Sequence, residues 1–226
     1  MRTLHLYVPH LALDLAQIRR CGSFPAGPAS PAGPLVLGGR PWEPRPVIDA
    51  SPDARALGIR RGMPLASAHR LVPEATFIDP DLDADRAAAE AVFEALGAFS
   101  PSLAGSSDPT DIAFGLFEVG IDGLGPLWGP EPVLVERLGR ATARTLPGDG
   151  RLRPRAGAAG TRFAAMVAAL HARPDEPLLV PPRDEAAFLA GRPASLLTTD
   201  PDVRARLARF GLRRIGQGVD GLHGGF

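Results

Sequence analysis

The sequence predicts an α+β fold: a β-α-β…β-α-β unit with an inserted helical lobe and a helical lobe appended at its end. Three observations carry this. Residues 2–8, Arg-Thr-Leu-His-Leu-Tyr-Val, alternate toward a buried strand and run straight into helical apolar spacing at Leu11, Leu15 and Ile18. Strand-length apolar runs then recur between helix-length segments as far as Leu178 to Val180. From Arg183 onward the pattern supports short helices only, and no repeat of fixed period interrupts the order.

The elements follow in sequence. Leu11 to Arg20 reads as the first helix. Residues 21–34 are rich in Pro, Gly, Ala and Ser and read as a loop. Leu35 to Leu37 and Val47 to Ala50 are short strands separated by Gly-Gly-Arg-Pro-Trp-Glu-Pro-Arg-Pro, a turn in which Trp42 is expected to be a packing anchor. A small helix, a Gly-Met-Pro corner and a second helix follow, with Pro64 at a helix start where its missing N–H costs nothing. Phe77 to Asp79 looks like a strand returning to the first unit. Residues 83–97 form an Ala-rich helix whose acidic first turn complements the helix dipole. Strand character around Ile112 to Val119 precedes a helix from Val133 to Thr145, broken by Pro147-Gly148. Arg153 to Gly157 is the next strand, Thr161 to Ala172 the next helix and Leu178 to Val180 the last strand.

Composition narrows the function classes. At 226 residues the chain can bury a sizeable core. No run approaches the roughly 20 apolar residues of a membrane span, and the N-terminus lacks the regions of a signal peptide. One cysteine, Cys21, excludes an internal disulfide and suits a reducing compartment, so a cytoplasmic location without membrane contact is expected. All 25 basic residues are Arg, the side chain that meets phosphate bidentately. The net charge of zero hides a split. Residues 1–136 hold 10 Arg against 17 acids, whereas residues 137–226 hold 15 Arg against 8. Such asymmetry suits a chain whose C-terminal part approaches a polyanion, or a solvated arginine-rich surface. His5, His10, His69 and His171 lie on different elements with no Cys or carboxylate at metal-ligand spacing, so structural roles are expected for them.

Residues 47–73 are the most specific stretch. The order Ala-Ser-x-x-Ala-Arg-x-x-Gly-Ile-Arg-x-Gly-Met-Pro-Leu-Ala-x-Ala-x-x-Leu-x-Pro resembles the fingers segment of Y-family (translesion) DNA polymerases. The resemblance extends along the chain. It implies a ferredoxin-like palm (1–14 and 79–176), an inserted small fingers domain (15–78) and a C-terminal helical thumb (177–226), with the family's little-finger domain absent from this sequence. The natural product is expected to be this long or longer.

By the same resemblance, two-metal phosphoryl transfer would need carboxylates from separate strands on two Mg²⁺ ions about 3.5–4 Å apart. Active relatives read His-Ile-Asp-Met-Asp-Ala-Phe-Phe where this chain has His5-Leu6-Tyr7-Val8-Pro9-His10-Leu11-Ala12. Tyr7 and Pro9 therefore stand for the first-strand acids, and Ala12 for the bulky side chain that excludes ribonucleotides. Setting Gly123-Leu124 against the Gly of Asp-Glu-x-x-Leu-Asp-Val-Thr-Gly puts Gly115 and Leu116 at the second acid pair. Asp108, Asp111, Glu118 and Asp122 nearby leave that register open. Pro52 replaces a family Tyr. Phosphate-contacting cations persist: Arg55 in the fingers, Arg162 at a family Lys position, and Arg173-Pro174 echoing Lys-Pro. Loss of ligands with retention of cations is similar to the ImuB-type, catalytically inactive relatives. No catalytic residue, metal ligand or cofactor is expected.

Leu207-Ala-Arg-Phe-Gly-Leu-Arg-Arg-Ile-Gly-Gln217 resembles a helix–hairpin–helix, which would present Gly211, Arg213, Arg214 and Gly216 to a DNA phosphate or else form a purely structural corner. Gln217 to Leu222 faintly resembles a clamp-binding peptide. The implied function is non-catalytic: DNA repair and damage-induced translesion synthesis, with sequence-independent binding to primed or damaged DNA. The implied partners are a RecA-like companion protein, an error-prone replicative-type polymerase and the sliding clamp. The alternatives are an interaction module of a mutagenesis complex with little DNA affinity, and a divergent active polymerase using Asp14, Asp108, Asp111 or Glu118.

Overall fold

The computed structural model describes residues 2–21 and 33–217. The chain opens with β1 (Thr3–Tyr7) and α1 (Leu11–Cys21), then enters a small lobe. That lobe comprises β2 (Leu35–Leu37), β3 (Asp49–Ala50), α2 (Pro52–Ala56), α3 (Leu65–Leu71) and β4 (Thr76–Ile78). The long α4 (Leu82–Gly97) leads to β5 (Leu103–Gly105), β6 (Leu116–Gly120), a single turn α5 (Gly125–Trp128) and α6 (Glu131–Thr145). After β7 (Arg155–Ala159), α7 (Arg162–His171) and β8 (Leu178–Leu179) come the short helices α8 (Glu185–Ala190) and α9 (Pro201–Arg209).

The main sheet has the order β5-β6-β1-β7-β8. Its antiparallel pairs β5/β6, β6/β1 and β1/β7, taken in chain order with α4 and α6, give the ferredoxin-like arrangement expected of the palm. β8 adds to the edge parallel to β7. Alternation explains the two faces. Leu4 and Leu6, Phe117 and Val119, Ala156 and Ala158 point to one side and pack with α1, α4 and α6 in the principal core. Thr3, His5 and Tyr7 therefore point to the other side, as does Glu118 opposite His5.

On that second face α7 lies almost on the backbone of β7. A Cβ at Gly157 would meet Ala169 N at 2.1 Å and Ala165 O at 2.6 Å. Glycine at 157 against the alanines of α7 is what lets helix and strand touch. Thr161 caps α7, its side chain accepting from Ala164 N at 3.3 Å.

The small lobe has its own sheet, β3-β2-β4, and its own core of Val36, Val47, Ala54, Ile59 and Leu65. Ser51 caps α2, which has Pro52 in its first turn. The Gly-Met-Pro corner turns at Gly62 (φ +81) and zips onto the approach to β3 through Gly62 N to Val47 O and Val47 N to Met63 O, both 2.8 Å.

Three readings need correction. The strand near Phe77 does not return to the first unit: β4 runs parallel to β2, fastened by Gly38 N and Gly39 N, which both donate to Ile78 O at 3.1 Å. Trp42 is no packing anchor. It is 74% exposed, with Arg40 over its ring at 5.7 Å, because the Pro-rich turn carries it away from both cores. Residues 112–115 form a turn and the strand starts at Leu116, while β5 and α5, too short to leave a periodic signal, went unread. His5 and His10 have carboxylate neighbours, Glu118 and Asp49, that lie far off in sequence and are delivered by the fold. The loop reading of 21–34 lies mostly outside the described residues, as do the Cys21 side chain and the end of the stretch Gln217 to Leu222.

Candidate functional site

The site is built where the end of β1 lies beside the start of β6. Tyr7 stands opposite Leu116 on β6 and Arg155 on β7, and Val8 N donates to Gly115 O at 2.8 Å. Tyr7, Gly115 and Leu116 thus occupy one corner of the sheet. Gly115 has φ +87, and a Cβ there would come within 2.6 Å of Val8 O and 3.2 Å of Leu11 Cβ. This backbone has room for hydrogen only. Burial pushes the Tyr7 phenol up, and the negative charge of Asp49 adds to it, so the hydroxyl stays protonated. Ala12 is buried in the principal core with the rest of α1.

One pleat inward on the same face, Glu118 accepts from Arg162 Nε at 2.6 Å and lies 3.5 Å from His5 Nε2. Arg162 reaches it from the first position of α7. His5 is buried, and loss of water lowers its pKa to about 4 despite Glu118, with Arg162 opposing the charge further. The other acids of the region shape turns. Asp108 Oδ1 accepts from Thr110 N and Thr110 Oγ1, both at 2.8 Å, and Asp111 Oδ1 accepts from Ala113 N at 2.9 Å. Among the described residues, no three His, Cys, Asp or Glu side chains converge as ligands of one metal ion.

Beside this corner runs a seam to the small lobe. His10, in the left-handed region at φ +57, lies at the turn into α1. Its Nδ1 is 3.0 Å from Asp49 Oδ1 on β3, and Arg55 Nη1 from α2 is 2.5 Å from its Nε2. An imidazole that donates through Nδ1–H to Asp49 accepts Arg55 at Nε2, so the three side chains form one chain of hydrogen bonds. Asp14, one turn into α1, faces the same patch. Burial raises its carboxyl to about 7, with His10 opposing and Asp49 reinforcing the shift. Arg61 completes the seam: Nη1 donates to Ile48 O at 2.6 Å, and Nη2 to Thr110 O at 2.6 Å and Asp111 O at 2.7 Å.

The cations singled out by sequence are not gathered at one point. Arg55 belongs to the seam and Arg162 to Glu118. Arg173 is exposed, 3.8 Å from Glu176, beyond the end of α7. At the C-terminus, Gly211 turns the chain after α9 with φ +75. The backbone N–H groups of Arg213 and Arg214 both donate to Gln217 Oε1, at 2.8 and 2.9 Å. Gly216 packs tightly, since a Cβ there would meet Ala190 Cβ at 2.8 Å, and the Arg214 side chain donates to Gly191 O at 3.2 Å.

Residues 31–169 match the IMS (impB/mucB/samB) family. The chain belongs to the impB/mucB/samB family. Among curated relatives, DNA polymerase IV of Halorhodospira halophila is 30% identical over 188 residues, covering 83% of this chain and 50% of that protein. Protein ImuB of Caulobacter vibrioides is 34% identical over 164 residues, covering 71% of this chain and 32% of its own. The chain spans about half the length, or less, of the curated relatives it matches. Among solved structures, DinB from Sulfolobus solfataricus superposes with a TM-score of 0.72 at 17% identity over 97% of this chain and 60% of that one. A Y-family DNA polymerase chimera gives 0.70 at 16% identity over 95% and 59%. The fold is therefore that of the Y-family polymerases.

Within this impB/mucB/samB fold, sequence reasoning missed Asp49 and the pairing of His5 with Glu118. Asp49 sits inside the best-read motif, yet nothing local points it at His10, 39 residues away. Only the packing of β3 against the start of α1 does so.

Proposed function

We propose that this chain is a non-catalytic, polymerase-like protein of DNA repair and damage-induced translesion synthesis, acting in the cytoplasm as a DNA-associated scaffold. The observation that carries the reading is the corner of Tyr7, Gly115 and Leu116. Two-metal nucleotidyl transfer requires carboxylates there, since neutral side chains cannot neutralise a triphosphate or activate a hydroxyl. The residues do not fit a pair of Mg²⁺ ions. Tyr7 is a protonated phenol, position 115 cannot hold a side chain without moving Val8, and Glu118 is engaged by Arg162. In this reading residues 1–14 and 79–176 act as palm, 15–78 as fingers and 177–226 as thumb. A RecA-like companion, an error-prone replicative-type polymerase and the sliding clamp are the partners. The names of the relatives, ImuB and DNA polymerase IV, support repair as the setting.

Arg213, Arg214, Gly211 and Gly216 are the proposed DNA-contacting residues, and Arg55, Arg162 and Arg173 the remaining phosphate-facing candidates. A second reading, an interaction module with little DNA affinity, is favoured by one observation. The hairpin N–H groups that would meet a phosphate are taken by Gln217. Binding to primed DNA over a salt series separates the two: a steep fall of affinity with salt supports the scaffold on DNA, and no binding at low salt supports the module. Primer extension with Mg²⁺ tests the absence of catalysis.

A further inference from the structure

The sheet face opposite Tyr7 carries a feature that the polymerase-like reading does not use. Between α6 and the start of β7 lies an open cavity of about 540 Å³, within the range of ligand pockets, ~300–1,000 Å³. Its floor is aliphatic: Val135, Gly139 and Ala143 from α6, with Pro154 just before β7 and Ala156 within it. Its rim carries four guanidinium groups, Arg140, Arg144, Arg153 and Arg173. Two acids share the wall, but each is already matched, Glu136 by Arg140 and Asp175 by Arg153. Arg144 has no ion-pair partner among the described residues.

Gly139 is the informative residue. It sits in the middle of α6, where glycine weakens a helix. No packing demands it, for a Cβ built there finds only Pro154 Cγ at 3.9 Å, an ordinary contact. The missing side chain instead keeps the floor of the groove open.

We infer that this groove docks an acidic segment of a partner protein, one bearing aliphatic side chains between its carboxylates. The carboxylates meet the arginine rim, where the internal ion pairs are solvent-exposed and weak enough to be exchanged. The apolar side chains fill the aliphatic floor. A nucleic acid fits less well, because Glu136 and Asp175 would face its phosphates and the floor offers no aromatic ring for a base. The inference stands independently of whether the chain is catalytic.

The test is fluorescence anisotropy of the full chain with a short labelled peptide of alternating Glu and Leu, against its Gln-for-Glu counterpart. The Glu peptide is expected to bind at least about tenfold more tightly than the Gln peptide. Gly139→Leu, which fills the groove, and the pair Arg140→Glu with Arg144→Glu should each weaken binding by a similar factor, with melting temperature as the check on folding. If Gly139→Leu does not fold, the arginine pair decides alone. No binding of the Glu peptide at about 1 mM, equal binding of the Gln peptide, full binding by folded variants, or displacement of the peptide by oligo(dT) would each overturn the inference.

Discussion

His10 Nδ1 lies 3.0 Å from Asp49 Oδ1, joining the turn after the first palm strand to the first buried strand pair of the small lobe. Arg55 closes on the other ring nitrogen. The arginine to which the polymerase resemblance gives a phosphate contact is thus also in contact with the protein's own side chains.

Asp14 faces this seam and gives the first prediction. Its folded pKa, about 7, lies above the ordinary carboxylate value near 4, so the native state keeps a proton that the unfolded chain has released. The sign follows: folding stability is undiminished below about pH 4, falls as pH rises from about 4 to 7, and stays reduced above that. Asp14→Asn should therefore match the parent at pH 4 and melt about 3 °C or more higher at pH 8. Thermal melts across pH check this, and equal melting at pH 8 would refute the burial argument.

His5 titrates with the opposite sign. Its folded pKa is depressed to about 4, so below about pH 6.5 the unfolded chain takes up a proton that the native site refuses. Stability should be full near neutrality and decline as pH falls from about 6.5 to 4. His5→Gln should flatten that acid limb in denaturant titrations at several pH values, with little change at pH 7.5.

Gly157→Ala should be among the most damaging small substitutions in the chain. A methyl group there overlaps the backbone of α7 at Ala169 N, 2.1 Å away, and neither strand nor helix can yield independently. A loss of roughly 2–3 kcal/mol or more is expected by urea unfolding. A variant as stable as the parent would show that α7 sits farther from the sheet.

DNA affinity, where measurable, should be weak, independent of sequence and salt-dependent. Arg213→Ala with Arg214→Ala should reduce the slope of log K against log salt by about one unit per lost contact. Unchanged binding at low salt would remove the hairpin from the DNA-contacting surface.

The fold was legible wherever periodicity was long or turn chemistry specific. β1 and α1 stood out by their apolar spacing, α4 by its alanines and acidic first turn, and the corner at Gly62 to Pro64 by its residues. β5, three residues long, exists because β6 supplies its hydrogen bonds, which a local pattern does not encode. The site divided the same way. That the polymerase resemblance sets Tyr7 and Pro9 against the family's first-strand acids is visible in one line of sequence. That Gly115 and Leu116 lie beside Tyr7, that Glu118 pairs with Arg162, and that Asp49 reaches His10 depend on strand register and on two lobes packing, so only the assembled fold reveals them.

The most direct measurement is primer extension by the purified chain on a primed template with all four deoxynucleotides, in Mg²⁺ and separately in Mn²⁺. The account predicts no extension above a protein-free control, for the parent and equally for Tyr7→Asp, because one carboxylate restored beside Gly115 and Leu116 leaves the ligand set incomplete. Template-dependent incorporation by the parent chain would contradict it.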